Sequence, residues 1–338
     1  MQAQQQAQLP AAQSPANAPQ SETPPTAKPF EGQAQPPTIR ATTGLVRLVA
    51  TVTDRRHNFI TDLAQNDFKV IEDGAPQNIQ FFLREANLPL RIALLLDTSN
   101  SIRPRLEFEQ DAAIDFLNSV IRRNDKDQAF LMTFDNEPEI IQDYTGDLGL
   151  LMSSIRKQRA GGGTALNDAI YKASEKLLNP PPPKGPDLEI RRVLVVISDG
   201  NDNLSDHALS EAIDEAMRAE VSIYAISTNT DWLALDTDNA KPQKYHLDEG
   251  DKVLQSFADE TGGRVFFPYK VEDLGQSFVD IGAELRSQYF IAYVPTNPLS
   301  NGGYRKIQVE TARKGLIART RKGYYAAAPT ATAPPPGK

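Results

Sequence analysis

The chain has 338 residues, of which 36 are Lys or Arg and 44 are Asp or Glu, so its formal net charge is −8. This acidic balance argues against a protein that holds nucleic acid through phosphate contacts, and against a polybasic membrane-binding surface. The absence of cysteine excludes disulfides, thiolate catalysis, iron–sulfur clusters and cysteine-ligated zinc.

Both ends of the chain have a biased composition. Residues 1–40 are rich in Pro, Gln and Ala and carry few charges, and residues 326–338 are rich in Ala and Pro. Such segments bury too little apolar surface to offset the entropy of ordering, so we predict both tails to be disordered. No apolar run approaches the ~20 residues that span a bilayer, and no secretory signal peptide is visible after Met1.

The segment 41–86 predicts short strands and no helix. Neighbouring residues from Leu45 to Thr53 would face opposite sides of a sheet. Farther on, Asp73-Gly74 separates two β-rich runs, which is typical of a tight hairpin. We therefore interpret this segment as the N-terminal part of a β-rich unit.

The segment 87–286 alternates predicted strands and helices, and several of the strands are continuous apolar runs. The predicted strands are 91–96, 129–134, 192–197, 221–226 and 264–267. The predicted helices are 103–122, 147–156, 165–178, 206–219, 251–260 and 271–286, with N-caps at Asp206 and Asp251 and a helix end at Gly262. This alternation predicts an α/β domain with a doubly wound, mainly parallel sheet, covered by helices on both faces.

The segment 287–325 returns to strand patterns, at 289–294, 304–310 and 317–320. It would form the C-terminal part of the β-rich unit, pairing with the strands of 41–86. The α/β domain would then be inserted into a small, sandwich-like β unit. Such an insertion is physically easy because the two ends of a domain commonly lie close together.

Oxygen-bearing side chains follow two of the predicted strands. Asp97, Ser99 and Ser101 follow the first strand of the α/β domain, and Asp199 follows the third; Thr164 ends a run of three glycines between them. Ligands of open α/β sheets bind outside the carboxyl ends of the strands, so we expect these side chains to meet at one edge. All are hard oxygen donors, which suits Mg²⁺, with Mn²⁺ and Ca²⁺ as alternatives.

The donor set also limits the charge of the predicted site. Only Asp97 and Asp199 are negative, and the three hydroxyls are neutral, so the protein balances one divalent cation without excess. Mg²⁺ takes six oxygens and keeps waters readily, which leaves a coordination position for a carboxylate from outside the chain. The N-terminus of the predicted helix 103–122 would add positive potential beside Asp97.

The pattern Asp97-x-Ser99-x-Ser101, followed by Thr164 and Asp199, resembles the metal-ion-dependent adhesion site of the von Willebrand factor type A domain. The flanking segments look similar to bacterial "VWFA-related domain" proteins, and the resemblance covers about residues 41–325. It implies that Ser99, Ser101 and Thr164 would be direct metal ligands, and that Asp97 and Asp199 would act directly or through water. It also implies protein ligands and an extracytoplasmic location, periplasmic or secreted, since similar proteins are often exported.

Five further polar residues lie near the predicted ligands in the sequence. We place Asn100, Asn201 and Asp202 on the rim of the site. Asp168 would either support the site from behind or tie a loop to a helix, and His207 would be either a rim residue or an ordinary surface residue.

These observations predict a non-enzymatic, divalent-metal-dependent protein-binding module for adhesion or assembly, which captures an acidic side chain of a partner protein. Two alternatives remain open. A metal-dependent hydrolase, for example a phosphatase, would need a general base, and only Asp202 or His207 is placed to serve. A structural protein of a cell-surface assembly would use the metal to stabilise its fold alone.

Overall fold

The computed structural model describes residues 44–84, 88–122, 126–182, 189–229, 247–268, 272–297 and 301–326. The tails predicted to be disordered, residues 1–40 and all of 326–338 after Ala326, lie outside the described residues. The domain boundaries drawn from the sequence stay predictions.

The first described segment forms four strands, β1 (Val46–Thr53), β2 (Phe68–Glu72), β3 (Ala75–Gln77) and β4 (Ile79–Leu83). β2 and β3 form the predicted hairpin. Its turn residues Asp73 and Gly74 have φ angles of 47° and 83°. Two successive positive φ angles are what a tight hairpin turn requires, and Asp-Gly meets that requirement at low steric cost.

The middle of the chain alternates strands and helices, as predicted. Its strands are β5 (Leu90–Asp97), β6 (Gln128–Phe134), β7 (Pro138–Thr145), β8 (Arg191–Ser198), β9 (Val221–Ser227) and β10 (Val265–Phe266). Its helices are α1 (Leu106–Val120), α2 (Leu148–Arg156), α3 (Leu166–Leu178), α4 (Leu209–Arg218), α5 (Glu249–Thr261) and α6 (Glu272–Arg286). The strands form one sheet in the order β10-β9-β8-β5-β6-β7, which is parallel except for β7.

Helices cover both faces of this central sheet. Every residue of β5 is buried. Alternate residues of this strand enter different cores: Ile92 and Leu94 pack with residues of α1 and α6, and Ala93 and Leu95 pack with residues of α3 and α4. This two-sided burial explains why the strand reads as a continuous apolar run.

The last described segment forms β11 (Tyr289–Tyr293), β12 (Tyr304–Thr311), β13 (Ile317–Arg319) and β14 (Gly323–Tyr325). These strands pair with those of the first segment in two antiparallel sheets, of order β13-β1-β11-β4 and β14-β12-β2-β3. A shared apolar core, which includes Leu48, Val70, Tyr289 and Val309, lies between them. The predicted fold class is confirmed: a mainly parallel α/β sheet joined to antiparallel sheets from the flanking segments.

Three local predictions were wrong. The helix predicted to begin at Arg103 begins at Leu106, because residues Asn100–Ile102 form a 3-10 turn. α4 starts after Ala208 rather than Asp206. The N-cap of α5 is Asp248, whose carboxylate accepts a hydrogen bond from the Asp251 amide (2.8 Å).

A buried polar cluster joins the α/β domain to the antiparallel sheets. The Oε1 atom of Glu284, on α6, accepts hydrogen bonds from Thr51 Oγ1 of β1 (3.0 Å) and the Tyr224 hydroxyl of β9 (2.8 Å), and pairs with Arg319 of β13. The Gln288 amide contacts the same Thr51 and Tyr224 oxygens. The last helix of the α/β domain is therefore fixed to both units.

Candidate functional site

Three loops meet at the carboxyl edge of the central sheet. β5 ends at Asp97 and β8, its hydrogen-bonded neighbour, ends at Ser198. The Gly-rich loop before α3 is tied to the loop after β5 by two backbone hydrogen bonds, from Gly161 N to Thr98 O (2.7 Å) and from Asn100 N to Gly162 O (3.2 Å).

The Gly-rich loop is also tied to the loop after β8. Asn203 N donates to Thr164 O (3.0 Å), and Thr164 N donates to the side-chain Oδ1 of Asn203 (3.0 Å). The segments that carry the predicted ligands are thus hydrogen-bonded to one another, and their relative positions are fixed by backbone as well as side-chain contacts.

Asp97 is the last residue of β5 and is fully buried. Its Oδ1 accepts a hydrogen bond from Ser99 N (2.8 Å), and its Oδ2 accepts one from Ser198 Oγ (2.8 Å). Burial raises the pKa of the Asp97 carboxyl to about 6; these serine hydrogen bonds act in the opposite direction, and the nearby Asp199 carboxylate adds to the rise.

The hydroxyls of Ser99 and Ser101 lie together in the loop after β5. The Oγ atoms of Ser99 and Ser101 are 2.9 Å apart, with Ser99 and Thr164 buried and Ser101 exposed. Asp199 is half-buried, and its Oδ1 accepts a hydrogen bond from Asn201 N (3.0 Å). The candidate site therefore includes a buried carboxylate, that of Asp97, and an exposed serine, Ser101.

This donor set has the chemistry of a site for a hard divalent cation. Asp97 and Asp199 interact electrostatically, and two neutral hydroxyls converge next to Asp97. In the part of the chain that the structure describes, no cluster of three or more His, Cys, Asp or Glu side chains has the geometry of a metal centre. A cation here would accordingly depend on the serine and threonine hydroxyls together with the two aspartates.

Comparison with known protein families assigns the chain. The family model of the von Willebrand factor type A domain matches residues 92–280, which is more than half of the sequence. The chain belongs to the von Willebrand factor type A (VWA) family. The resemblance seen in the sequence is confirmed, and the matched range contains all five predicted ligands.

Solved structures with a similar fold come from several bacteria. A von Willebrand factor type A protein from Catenulispora acidiphila has 13% sequence identity, with 86% of this chain and 75% of that one covered and a TM-score of 0.48. An aerotolerance-related membrane protein from Bacteroides fragilis has 18% identity, covering 58% and 98%, with a TM-score of 0.44. The vWF domain of the type V pili tip protein Mfa5 from Porphyromonas gingivalis has 13% identity, covering 58% and 94%, with a TM-score of 0.42. A search of curated proteins returned no match.

The residues predicted to lie on the rim of the site have structural partners of their own. Asp202 accepts hydrogen bonds from Asn167 N (2.7 Å) and from the Ser205 hydroxyl (2.6 Å). Asn100 is exposed, and its side-chain amide donates to Gly162 O (3.1 Å). Asn201 is also exposed. Both asparagines therefore lie on the accessible face of the site, and Asp202 is engaged in holding its loop to α3.

Asp168 ties the loop after β8 to the first turn of α3. Its carboxylate accepts hydrogen bonds from the backbone amides of Asp206 (3.2 Å) and His207 (2.9 Å), and its Oδ1 lies 2.7 Å from His207 Nδ1. Burial acts to raise the Asp168 pKa, but the hydrogen bonds from His207 and Asp206 outweigh it, so the pKa lies below its ordinary value. The His207 ring also stacks on Tyr171 at 3.9 Å between centroids. Both residues thus hold the loop in place.

Sequence reasoning missed two residues that support the site, Ser198 and Asn203. Ser198 holds Asp97, and Asn203 holds Thr164. The pairing of the strands indicates Ser198. Leu96 lies opposite Ile197 in neighbouring parallel strands, so the next residues, Asp97 and Ser198, lie side by side. Asn203 lies in a loop, where no periodicity points to its partner.

Glu109 on α1 is a third residue that the sequence did not reveal. It is only 2% exposed, and neither of its carboxylate oxygens has a hydrogen-bond partner among the described residues. Burial raises the Glu109 pKa well above its ordinary value; Arg105 opposes this rise, and Asp97 and Asp199 add to it. The negative potential of the two aspartates therefore extends to the first turns of α1.

Proposed function

We propose that this VWA chain is a divalent-metal-dependent protein-binding module. Mg²⁺ would be held by the two aspartates and three hydroxyls of the site, and a partner protein would contribute an acidic side chain. The residues concerned are Asp97, Ser99, Ser101, Thr164 and Asp199. The observation that carries this proposal is that three loops are hydrogen-bonded to one another at the carboxyl edge of the central sheet. There the Ser99 and Ser101 hydroxyl oxygens lie 2.9 Å apart, in the loop that follows the buried Asp97.

The chemistry of the donors supports capture of a carboxylate. Asp97 and Asp199 supply two negative charges, which is enough to balance one dication, and the remaining donors are neutral. When bound, the metal supplies a positive coordination position that an outside carboxylate can fill. Exposed Ser101 lies at the accessible end of the site, so a partner can approach from this side.

The state of the candidate bases supports a non-enzymatic role. A hydrolase would need a base that is free to take a proton from water. Asp202 is occupied by Asn167 and Ser205. The Nδ1 atom of His207 is paired with Asp168, which leaves only Nε2 as a base, and the ring is stacked on Tyr171; among the described residues the ring makes no hydrogen bond to any of the five predicted ligands. We therefore favour binding over hydrolysis.

The proposal also includes location. No helix in the described residues is both long and apolar enough to cross a membrane. From the resemblance to proteins that are often exported, we propose an extracytoplasmic location, periplasmic or secreted.

Thermal unfolding tests the metal site. We would measure the wild type and the Ser99→Ala/Ser101→Ala variant in EDTA, Mg²⁺, Mn²⁺ and Ca²⁺. Metal at 100 times its dissociation constant should stabilise the wild type by about 2.7 kcal/mol and leave the variant unchanged. Ser153 is an exposed helix residue and Ser256 a half-buried one, both outside the site, so Ser153→Ala/Ser256→Ala is a matched control that should respond like the wild type. An equal response of wild type and site variant would contradict the proposed ligands.

Binding of a carboxylate probe tests the function itself. A capped peptide with a single Asp among glycines should bind the wild type in Mg²⁺ and lose binding in EDTA. Metal that stabilises the fold while the peptide shows no metal-dependent binding would favour the structural alternative. Turnover of a generic phosphate ester in Mg²⁺ would favour the hydrolase.

A further inference from the structure

Three exposed basic residues lie in the segments next to the site, Arg103 after the loop that follows β5, and Lys157 and Arg159 before the Gly-rich loop; we call them the basic flank. Arg103 follows Ser101 by two residues, and its guanidinium donates to Ala160 O (3.3 Å), at the start of the Gly-rich loop. Arg159 is the residue directly before Ala160. Two hydrogen bonds that tie this loop to the loop after β5 hold the flank beside the predicted ligands.

The charges of the basic flank are not compensated by carboxylates. Arg103 donates only to neutral oxygens, Asn100 Oδ1 (3.0 Å) and Ala160 O, and Arg159 donates to two backbone carbonyls. Within the described residues, no carboxylate lies within ion-pair distance of Arg103, Lys157 or Arg159, whereas the neighbouring Arg156 pairs with Asp111. A protein of net charge −8 thus has three uncompensated positive charges on one side of its candidate site.

The opposite side of the Gly-rich loop is acidic. There Thr164 is hydrogen-bonded to Asn203, in the loop that carries Asp199, Asp202 and Asp206. The sign of the surface charge therefore changes across this one loop. A segment with several acidic residues would be attracted on the Arg103 side and repelled on the Asp206 side.

We propose that the partner of this site is an acidic segment: one acidic residue at the proposed metal site, and further acidic residues on one side of it that lie against Arg103, Lys157 and Arg159. This inference rests on the proposed function, and it adds the partner's composition and its direction across the site. Because the three cations are exposed, their effect must weaken as salt screens them, over ~10 Å at 0.1 M.

Three capped peptides test the inference in the full chain. One has a single Asp among glycines, one has two Glu before that Asp, and one has two Glu after it. In Mg²⁺ at low salt, one of the two Glu peptides should bind about three- to tenfold more tightly than the single-Asp peptide. The other should gain little, and high salt should reduce the preference. In Arg103→Gln/Lys157→Gln/Arg159→Gln the peptides should bind equally, with the metal-dependent affinity for the single-Asp peptide retained.

The matched control removes three exposed cations from turns of the antiparallel sheets, Arg55→Gln/Arg56→Gln/Lys314→Gln. It has the same net charge as the flank variant and should keep the wild-type preference. Equal affinity of the wild type for all three peptides, or the same loss of preference in both variants, would overturn the inference while leaving the proposed function intact. Failure of the single-Asp peptide to bind in Mg²⁺ would instead overturn the proposed function.

Discussion

The hydroxyl of Ser198 donates a hydrogen bond to Asp97 Oδ2 across 2.8 Å, between the last residues of two neighbouring parallel strands. The same hydroxyl oxygen accepts a hydrogen bond from Gly200 N (3.1 Å), the residue after Asp199. One serine side chain therefore orients the buried carboxylate of β5 and the turn that carries the second carboxylate.

Replacing this serine should weaken the site more than the fold. In Ser198→Ala, Asp97 loses one of its two hydrogen bonds, so its pKa should rise further above 6. A hydrogen bond to a charged group contributes about 1.5–3 kcal/mol, and we expect Mg²⁺ affinity at neutral pH to fall by about tenfold or more. Isothermal titration calorimetry with Mg²⁺ measures this change.

Ser222→Ala provides the control, because Ser222 lies on the neighbouring strand β9 and is half-buried. This variant should bind Mg²⁺ like the wild type. If Ser198→Ala binds with unchanged affinity, the hydrogen bond to Asp97 does not contribute to the site.

The metal-free protein should lose stability as pH rises through the pKa of Asp97. Burial places this pKa at about 6 in the folded state, against an ordinary value of 3.8. Because the folded state binds the proton more tightly, the contribution of Asp97 is complete below about pH 4 and is lost as pH rises through 6. The difference corresponds to about 3 kcal/mol in the free energy of unfolding.

Comparison of the wild type with Asp97→Asn isolates this effect from the other carboxylates. We expect urea unfolding in EDTA to show the wild type losing about 3 kcal/mol relative to the variant between pH 4 and pH 7. Parallel stability curves over this range would mean that Asp97 ionises in the folded protein with an ordinary pKa.

The strands and helices with a clear pattern of apolar residues could be predicted from the sequence. β5 is buried on both faces, and its apolar run identified it. β7 was not predicted, because it is the antiparallel edge strand and none of its residues is buried, so no apolar periodicity marks it. The predicted N-caps of α4 and α5 were wrong because α4 begins after Ala208, whose side chain makes no capping hydrogen bond, and because two aspartates, Asp248 and Asp251, lie at the start of α5. Asp251 lies in the first turn of α5: its Oδ2 accepts from Asp248 N (3.2 Å) in a capping box, and its Oδ1 accepts from Ser227 Oγ (2.6 Å).

The candidate site shows the same division. Four of its five candidate oxygen donors follow strands whose carboxyl ends share an edge, and the fifth, Thr164, was marked by the run of glycines before it. The support of Thr164 by Asn203 could not be predicted, since that contact exists only in the folded chain, and neither could the burial of Glu109. A glutamate within an amphipathic helix pattern reads as solvent-exposed, and nothing in the sequence indicates that Glu109 points inwards.

Removing the buried acid of α1 should stabilise the metal-free protein. A buried carboxylate without hydrogen bonds is costly, so Glu109→Met, which keeps the volume, should raise the free energy of unfolding by about 1–3 kcal/mol at neutral pH. Since the Glu109 pKa is raised, this gain should shrink as pH falls towards 4.5. The exposed Glu107 in the same turn gives the control: Glu107→Met should change stability by less than about 0.5 kcal/mol. A destabilised Glu109→Met would indicate that the carboxylate has a stabilising partner.

The polar cluster around Glu284 should be the strongest link between the α/β domain and the antiparallel sheets. Glu284→Ala would leave Thr51, Tyr224 and Arg319 without their shared acceptor. Removing one member of a buried ion pair costs about 3–5 kcal/mol, and we expect the lower end because Arg319 is 30% exposed and can reach water.

Glu284→Gln distinguishes charge from hydrogen bonding, since the amide oxygen can still accept from Thr51 and Tyr224. It should lose less stability than Glu284→Ala in urea unfolding. Glu310→Gln is the surface control, because Glu310 pairs with Lys69 at 3.4 Å with both side chains exposed, and such pairs contribute about 0–1 kcal/mol. If Glu284→Ala were no more destabilising than Glu310→Gln, apolar packing rather than this cluster would hold the last helix to the antiparallel sheets.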